Sequence, residues 1–440
     1  MQRRSLAVSA GAALLGIGLA QPAVAAGFAV QDYTSAAQLG AANAGAAAAA
    51  EDASAISVNP AGIARLTSPQ VVGNATFASP YLPFTDQGSI LPSGAPIGSG
   101  EDNGGAFVLL PSFFFASPLP YGFSAGVGLF PSFGLATEYG SNWIGRYNAQ
   151  SSEVTSLDLA PTLAYRALPW LSFGISPVAR YTKVKFTNAI DFGSIGAGLG
   201  IPGAVPGGSD GGAKVKVSAW SFAFNGGVLI EPTDRTRVGI AYFHNDAAKV
   251  TGSARFARSP IGDVIAAVSG AFTNTDASSL INLPDHANFG IVQSLTPDLD
   301  VRAGLTWTQW SSFKEERIVF ANPNQPDSVM PENWRDTVTL SLGGNYRVSP
   351  ALVVRAGFAY DETPIPDAAH RDARLPDSDR YTAAIGAGYT LTPSTTIDFA
   401  YQHVFGTSVA LRPPSTVGDQ LIGTTDLSAD IVALQVTYRY

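Results

Sequence analysis

The sequence predicts an all-β protein, a transmembrane antiparallel β-barrel of about 14 strands with a small helical plug in its lumen. Apolar and polar residues alternate with period two along many segments, as in strands with one apolar face. After the first 25 residues no run of about 18 apolar residues occurs, which excludes a membrane-spanning helix. Charged residues make up only 14% of the chain, 46 residues are glycine, and the mean hydropathy is slightly positive. Few soluble domains have this composition.

The first residues predict an export signal over 1–25. Arg3 and Arg4 precede an apolar run, 6–20, and Ala23-Val24-Ala25 is a small-residue cleavage site. Without these two arginines 24 basic residues face 34 acidic ones, so the net charge of the mature chain falls from -8 to -10. This acidic balance argues against nucleic acid as a partner. Cysteine is absent, which rules out a disulfide framework, a cysteine-ligated metal site and a cysteine nucleophile.

The segment 26–66 differs from everything after it, and we expect it to form the plug within an N-terminal unit of residues 26–69. It is rich in alanine and has no alternating apolar pattern. Pro60 ends any helix before it, because the residue that precedes a proline disfavours the α conformation. Two or three short helices joined by bends are therefore predicted. The alternative is a disordered alanine-rich linker, against which apolar residues such as Tyr33 and Ile56 argue.

Residues 70–440 predict the barrel. Between 337 and 348 one face carries Val338, Leu340 and Leu342, and threonine and serine alternate with them. The same pattern yields fourteen strands, an even number, as antiparallel bacterial barrels require. We expect them at 70–78, 105–116, 122–133, 153–166, 171–186, 214–230, 237–245, 281–295, 299–310, 337–348, 352–360, 380–392, 396–405 and 430–440.

The connections and the C-terminus predict a bacterial outer-membrane location. Short proline-bearing turns alternate with long loops, as expected for periplasmic turns and extracellular loops respectively. The last strand alternates up to the terminal Tyr440, which resembles the signal by which outer-membrane proteins are recognised for assembly. The expected partners are therefore the barrel-assembly machinery and outer-membrane lipid, including lipopolysaccharide. A soluble β-sandwich is disfavoured, because its outward faces are wet, whereas here the continuous face is apolar.

Seven short motifs follow one another along the chain: AGF (26–28), NPA (59–61), FGLATEY (133–139), NLP (282–284), WSSF (310–313), YDETPIP (360–366) and LPDSDR (375–380). In this order they resemble the FadL family of outer-membrane long-chain fatty acid transporters, whose relatives import aromatic hydrocarbons. The resemblance implies a fourteen-stranded barrel, a luminal hatch that carries the NPA motif, and sideways release of the ligand through a kinked third strand. It implies uptake of a long-chain fatty acid or, alternatively, an aromatic hydrocarbon, by a monomer without a cofactor.

The resemblance also implies ligand-binding residues. The family's pocket pairs the ligand's carboxylate with basic residues, since an unpaired buried carboxylate is costly. The WSSF pattern places one such residue at Arg317, and Lys185 on the fifth strand is the nearest candidate for a second. The parity of Lys185 turns it outward unless a bulge intervenes. For Arg317 the alternative is a solvated loop position beside Glu315 and Glu316.

Two further sites are expected to move. Phe133-Gly134 lies where the family's lateral opening falls, and a glycine inside a strand favours a bulge; ordinary barrel curvature is the alternative. Asn59-Pro60-Ala61 is the point at which a hatch movement is expected to start or to be held, and the alternative is a static plug whose turn needs a proline.

Other functions receive less support. A hydrolase has only four histidines to serve as the usual base, none within a recognisable serine or aspartate signature, so we expect no enzyme activity. The acidic loop 361–379 is expected to be rigid and solvated rather than a divalent-cation site, so no metal is predicted. An open porin requires a constricting loop in a wide lumen, whereas this chain has an N-terminal plug. A structural anchor or adhesin stays open, because a fold does not fix a function.

Overall fold

The structure, a computed structural model, describes residues 29–98, 102–415 and 418–440. The predicted export signal, 1–25, and the AGF motif lie outside these residues. Among the helices in the described part of the chain, none is long and apolar enough to cross a membrane.

The described residues contain twenty strands. In chain order they are β1 (Gln70–Tyr81), β2 (Pro83–Asp86), β3 (Asp102–Asn103), β4 (Val108–Pro118), β5 (Phe123–Glu138), β6 (Ser151–Leu168), β7 (Leu171–Asp191), β8 (Asp210–Thr233), β9 (Thr236–Asn245), β10 (Ala248–Ala257), β11 (Thr275–Ile281), β12 (His286–Ser294), β13 (Leu299–Thr308), β14 (Glu315–Phe320), β15 (Ser328–Pro331), β16 (Thr337–Arg347), β17 (Leu352–Asp361), β18 (Arg380–Thr392), β19 (Thr395–Leu411) and β20 (Gly423–Arg439).

Fourteen of these strands close into a barrel: β1, β4 to β9, β12, β13 and β16 to β20. Each pairs antiparallel with its neighbours, and β20 returns to β1 with Tyr438 opposite Val71. Closure pairs most of the wall on both sides, as lipid requires, and the exception among the described residues is the upper part of β5, which pairs with β4 only as far as Leu129. Inward and outward side chains alternate as predicted, so that Leu340 and Leu342 of β16 are 50% and 61% exposed on the outer face. The predicted fold class is confirmed.

The remaining six strands lie beyond the extracellular rim of the barrel. The sequence did not predict them. β10 pairs with the upper end of β8, and β11, β14 and β15 continue outward from it, while β2 and β3 extend β20. The strand expected at 281–295 is present but begins later, since β11 ends at Ile281 and β12 begins at His286. Pro284 lacks a backbone N–H, and the Asp285 carboxylate instead accepts the Asn245 N–H at 2.8 Å.

Short helices form the hatch inside the barrel. They are 3₁₀ segments at Gln31–Tyr33, Ala53–Ser57 and Pro60–Arg65, with α1 (Ala36–Leu39) and α2 (Ala46–Ala49) between them. Glycines on eight successive barrel strands meet the hatch: Gly174, Gly227, Gly239, Gly290, Gly304, Gly343, Gly357 and Gly386. A methyl group at Gly239 or Gly357 would overlap the carbonyl oxygen of Ala47 or Ala41. Alanine in the hatch and glycine in the wall thus allow backbone to approach backbone.

Candidate ligand pocket and hatch

An apolar pocket lies between the upper barrel wall and the extracellular hairpin β14–β15. Its wall residues are Leu135, Val154, Val184, Phe186, Val215, Val217 and Val250, and on the hairpin side it is lined by Phe313, Ile318 and Trp334. Lower on the same wall, inward positions of β7 include Ser172, Ser176 and Arg180, and Val178 packs against the hatch. The valines and Phe186 that line the pocket lie above the hatch, in the extracellular half of the molecule.

The polar end of the pocket contains one cation and three carboxyl groups. Arg374 lies with its Nη1 2.7 Å from Oδ2 of Asp372, and its guanidinium is 5.3 Å from the centroid of the Phe186 ring. Glu332 accepts the indole N–H of Trp334 at 2.8 Å. Glu316 completes the group, and the three carboxyl groups each offer an oxygen within 4.8 Å of the others. Arg374 already supplies the positive charge that such a cluster needs.

Burial shifts the acids at this end of the pocket towards their neutral forms. It raises the pKa of Glu316 to about 7, with Arg374 opposing the rise and Asp372 adding to it. Burial, together with Asp372 and Glu316, also raises the pKa of Glu332 well above its ordinary value. Both groups lie on the hairpin side, outside the membrane-spanning strands. In its protonated form each group is able to donate a hydrogen bond to an anion rather than repel it.

The structure places Arg317 outside this pocket, contrary to the sequence-based expectation. Neighbouring Glu316 and Ile318 line the pocket, so Arg317 on the same strand points to the other face. Its side chain is 44% exposed and pairs with Glu315 at 2.6 Å and with Asp327 at 3.0 Å. The solvated alternative describes it better, and Arg374 is the cation that lines the pocket.

Lys185 also lies outside the lumen. The pairing of β7 with β8 runs without a register shift from Leu171 to Asp191, so no bulge reverses its parity. Its ammonium group is 3.6 Å from Glu153 on the outer wall. The buried inward cation of this fifth barrel strand is Arg180, whose guanidinium makes two 2.7 Å hydrogen bonds to Asp158. Sequence reasoning missed Arg180, although its alternation with outward Tyr181 was visible.

Phe133 and Gly134 lie at an irregularity in β5. The register of β5 against β6 shifts between Pro131 and Gly134, and β4 pairs with β5 only as far as Leu129. The N-terminal segment occupies this break: Ala29 forms a bridge to Phe133, and the Val30 N–H donates to the Ser132 carbonyl at 2.8 Å. The Phe133 ring is buried, 4.9 Å from the Arg180 guanidinium, and it contacts Trp310 edge to face.

The NPA motif is held firmly against the wall. Asn59 donates from Nδ2 to the carbonyls of Ala47 at 2.7 Å and Val228 at 3.0 Å, and it accepts the Ala61 N–H at 3.0 Å. Pro60 begins the following 3₁₀ helix, where its missing N–H costs nothing. The motif thus joins the hatch to both its own α2 and barrel strand β8.

The acidic loop before β18 is less solvated than expected. Asp372 and Asp377 are buried, and Arg380 bridges Asp377 at 3.0 Å and Asp361 at 2.6 Å. The upper end of β5 holds the same loop, because Thr137 donates to the Arg374 carbonyl at 3.1 Å. Ion pairs fold the loop inward, and this brings Arg374 to the pocket.

A family model described as outer membrane protein transport protein (OMPP1/FadL/TodX) matches residues 16–440. The chain belongs to this family. It is 28% identical to a putative outer membrane protein of Neisseria meningitidis over 90% of this chain and 91% of the relative. The long-chain fatty acid transport protein of Escherichia coli K12 is 26% identical, over 88% of this chain and 89% of the relative.

Solved structures agree with this assignment. The crystal structure of a Pseudomonas aeruginosa FadL homologue superposes with a TM-score of 0.85 at 26% identity, covering 94% of this chain and all (100%) of that one. The P. putida toluene transporter TodX, at 19% identity, shares the fold, with a TM-score of 0.69 over 88% of this chain and 94% of its own. The protein is thus an outer-membrane transporter of hydrophobic compounds, and, as expected, not an enzyme.

Proposed function

We propose that this transporter takes up long-chain fatty acids, with the tail in the apolar pocket and the carboxylate at Arg374. The observation that carries the proposal is an apolar pocket whose lining, among the described residues, includes one cation. The E. coli relative, named a long-chain fatty acid transport protein, supports this substrate class. A bound carboxylate next to a guanidinium avoids the cost of burying an unpaired charge.

The three acids around Arg374 are compatible with an anionic ligand. A guanidinium presents five N–H donors, and Asp372 engages it through Nη1, so other donors are left for a second carboxylate. Neutral Glu316 and Glu332 add O–H donors at the same end of the pocket. The head group therefore binds at a site where burial favours the neutral forms of the two acids that are not paired with Arg374, because it raises the pKa of both Glu316 and Glu332.

The proposed route leads sideways through the break in β5. For the ligand to leave there, Ala29 and Val30 have to separate from Ser132 and Phe133, which breaks the bridge and the hydrogen bond that the Val30 N–H donates. The NPA motif, in which Asn59 donates two hydrogen bonds and accepts one, is proposed to hold the hatch in place while this N-terminal segment moves. Because the Arg374 loop bonds to β5, ligand binding and gate movement share one element.

Uptake of an aromatic hydrocarbon is the second candidate. The rings of Phe186, Phe313 and Trp334 line the pocket and offer faces and edges to a planar guest. Such a guest needs no partner at Arg374.

A ligand panel on the purified barrel separates the two candidates. Hexadecanoate, hexadecanol and toluene are titrated while displacement of a fluorescent fatty acid is followed. The proposal expects hexadecanoate to bind more tightly than hexadecanol, because the carboxylate gains Arg374, and toluene to bind most weakly. Tight binding of toluene without measurable binding of hexadecanoate refutes fatty acid uptake and favours the second candidate.

A further inference from the structure

A cluster of basic side chains covers the outer wall of the barrel beside the pocket. It consists of Lys183, Lys185, Lys214, Lys216, Lys249 and Arg255. These residues alternate along β7, β8 and β10 with inward Val184, Val215, Val217 and Val250, so the cations lie on the outer face. The whole chain carries a net charge of -8, and a cation cluster in an acidic protein requires an explanation.

Like charges face each other directly within the cluster. Lys185 is the cross-strand partner of Lys216, and Lys214 is the partner of Arg255. Directly opposed like charges destabilise a sheet. Acidic residues of the protein neutralise only part of this positive charge. Glu153 pairs with Lys183 at 3.1 Å and with Lys185 at 3.6 Å, and Asp276 is the cross-strand partner of Ser253, which itself pairs with Lys216. The other four cations are exposed and have no ion pair with a described residue.

The cluster lies immediately above an aromatic belt. Two residues below Lys183 on the same face of β7 is Tyr181, and its ring is 5.3 Å from that of Trp220 on β8. Trp220 and Phe222 are 67% and 68% exposed on the outer wall. Aromatic girdles mark the boundary between hydrocarbon and head groups. The cations are therefore at the height of the head groups of the outer leaflet.

We propose that this basic cluster binds the phosphate groups of lipopolysaccharide, with its acyl chains against Trp220 and Phe222. Paired like charges on neighbouring strands suit a ligand with several negative charges better than a single carboxylate. A second copy of the chain would present the same positive face and be repelled. Because the inward side chains of these strands line the pocket, the bound glycolipid stabilises the pocket wall from its outer face.

The test uses the refolded full-length barrel free of lipopolysaccharide, titrated with bisphosphorylated lipid A, with lipid A lacking phosphate, and with inorganic phosphate. The test variant combines Lys214→Gln, Lys216→Gln, Lys249→Gln and Arg255→Gln, which leaves the partners of Glu153 intact. A charge-matched control combines Arg235→Gln, Lys314→Gln, Arg347→Gln and Arg412→Gln elsewhere on the surface. Heat-modifiable gel mobility confirms that each variant is folded. If the fourfold variant does not fold, the single variant Lys216→Gln replaces it in the titrations.

Bisphosphorylated lipid A is expected to bind and to raise the thermal midpoint of the wild type. The fourfold variant is expected to lose on the order of a hundredfold in affinity for lipid A. Each basic residue near an anionic lipid surface contributes about fivefold, and screening by salt reduces the product of the four. The control should keep wild-type affinity, and phosphate-free lipid A should bind weakly to all. Unchanged affinity in the cluster variants, an equal loss in the control, or the same stabilisation by inorganic phosphate overturns the proposal.

Discussion

Replacing Arg374 with glutamine tests how the pocket recognises a head group. Glutamine keeps a hydrogen-bond donor but removes the charge. The Arg374 side chain is only 16% exposed, so water screens its interaction weakly. Hydrogen bonds to charged groups contribute roughly 1.5 to 3 kcal/mol, and we expect a loss of about 2 kcal/mol, roughly thirtyfold in Kd at 25 °C. Binding of hexadecanol, which has no charge to pair, is expected to change by less than about threefold.

The assay compares Kd values for hexadecanoate and hexadecanol in wild type and variants. Arg317→Gln is the matched control, because Arg317 lies on strand β14 beside the pocket but points away from it, is 44% exposed and pairs with Glu315. Since Arg374→Gln leaves buried Asp372 without its partner, the double variant with Asp372→Asn separates lost recognition from a disturbed loop. An equal loss for both ligands, no loss for either, or a selective loss in Arg317→Gln refutes the assignment.

Three further outcomes are expected. Binding of hexadecanoate should weaken as pH rises through about 7, because Glu316 loses its proton there and adds a negative charge beside the ligand; a dependence that survives Glu316→Gln contradicts this cause. Gly357→Val should raise the ion conductance of the reconstituted barrel, because the side chain displaces the hatch, whereas the lipid-facing Gly73→Val should not; equal conductance in both removes the sealing role of the glycine. Deleting Tyr440, whose N–H donates to the Pro69 carbonyl at 3.0 Å, should lower the amount of assembled barrel on a heat-modifiability gel, and unchanged assembly argues against a terminal signal.

The barrel was predictable because its main determinant is local. Each membrane strand repeats apolar residues with period two, so the count of fourteen strands followed from the pattern. The extracellular strands β14 and β15 are only six and four residues long, too short for the pattern to be distinguished from chance. The interruption at Asn282 to Asp285 escaped notice because alternation continues on both sides of it.

The cation that lines the pocket was harder to predict, for two physical reasons. Arg317 has the right spacing in the chain, but one residue of parity decides whether a strand side chain enters a pocket, and the start of hairpin β14 is not readable from the sequence. Arg374 belongs to a loop rich in acidic residues, and this composition predicted a solvent-exposed loop. That loop folds inward through long-range ion pairs such as Arg380 with Asp361, which composition does not reveal.

The hatch's composition bears on the direction of release. Alanine and glycine bury little apolar area, so the hatch depends on polar links to the wall, among them Glu51 with Arg302 and Asp52 with Gln435, the latter at 2.8 Å. Below it lies a polar vestibule of about 440 Å³, lined by arginines that include Arg237 and Arg355, an unfavourable path for a hydrocarbon tail.

The link at the break in β5 is of a different kind. It joins the wall to the hatch through the Ala29 bridge and the Val30 N–H, both beside the apolar pocket. In the proposed route, breaking it opens a path towards lipid while the body of the hatch stays in place. The proposed sideways exit would therefore leave the polar links between the hatch and the wall intact, whereas an exit through the hatch would break them.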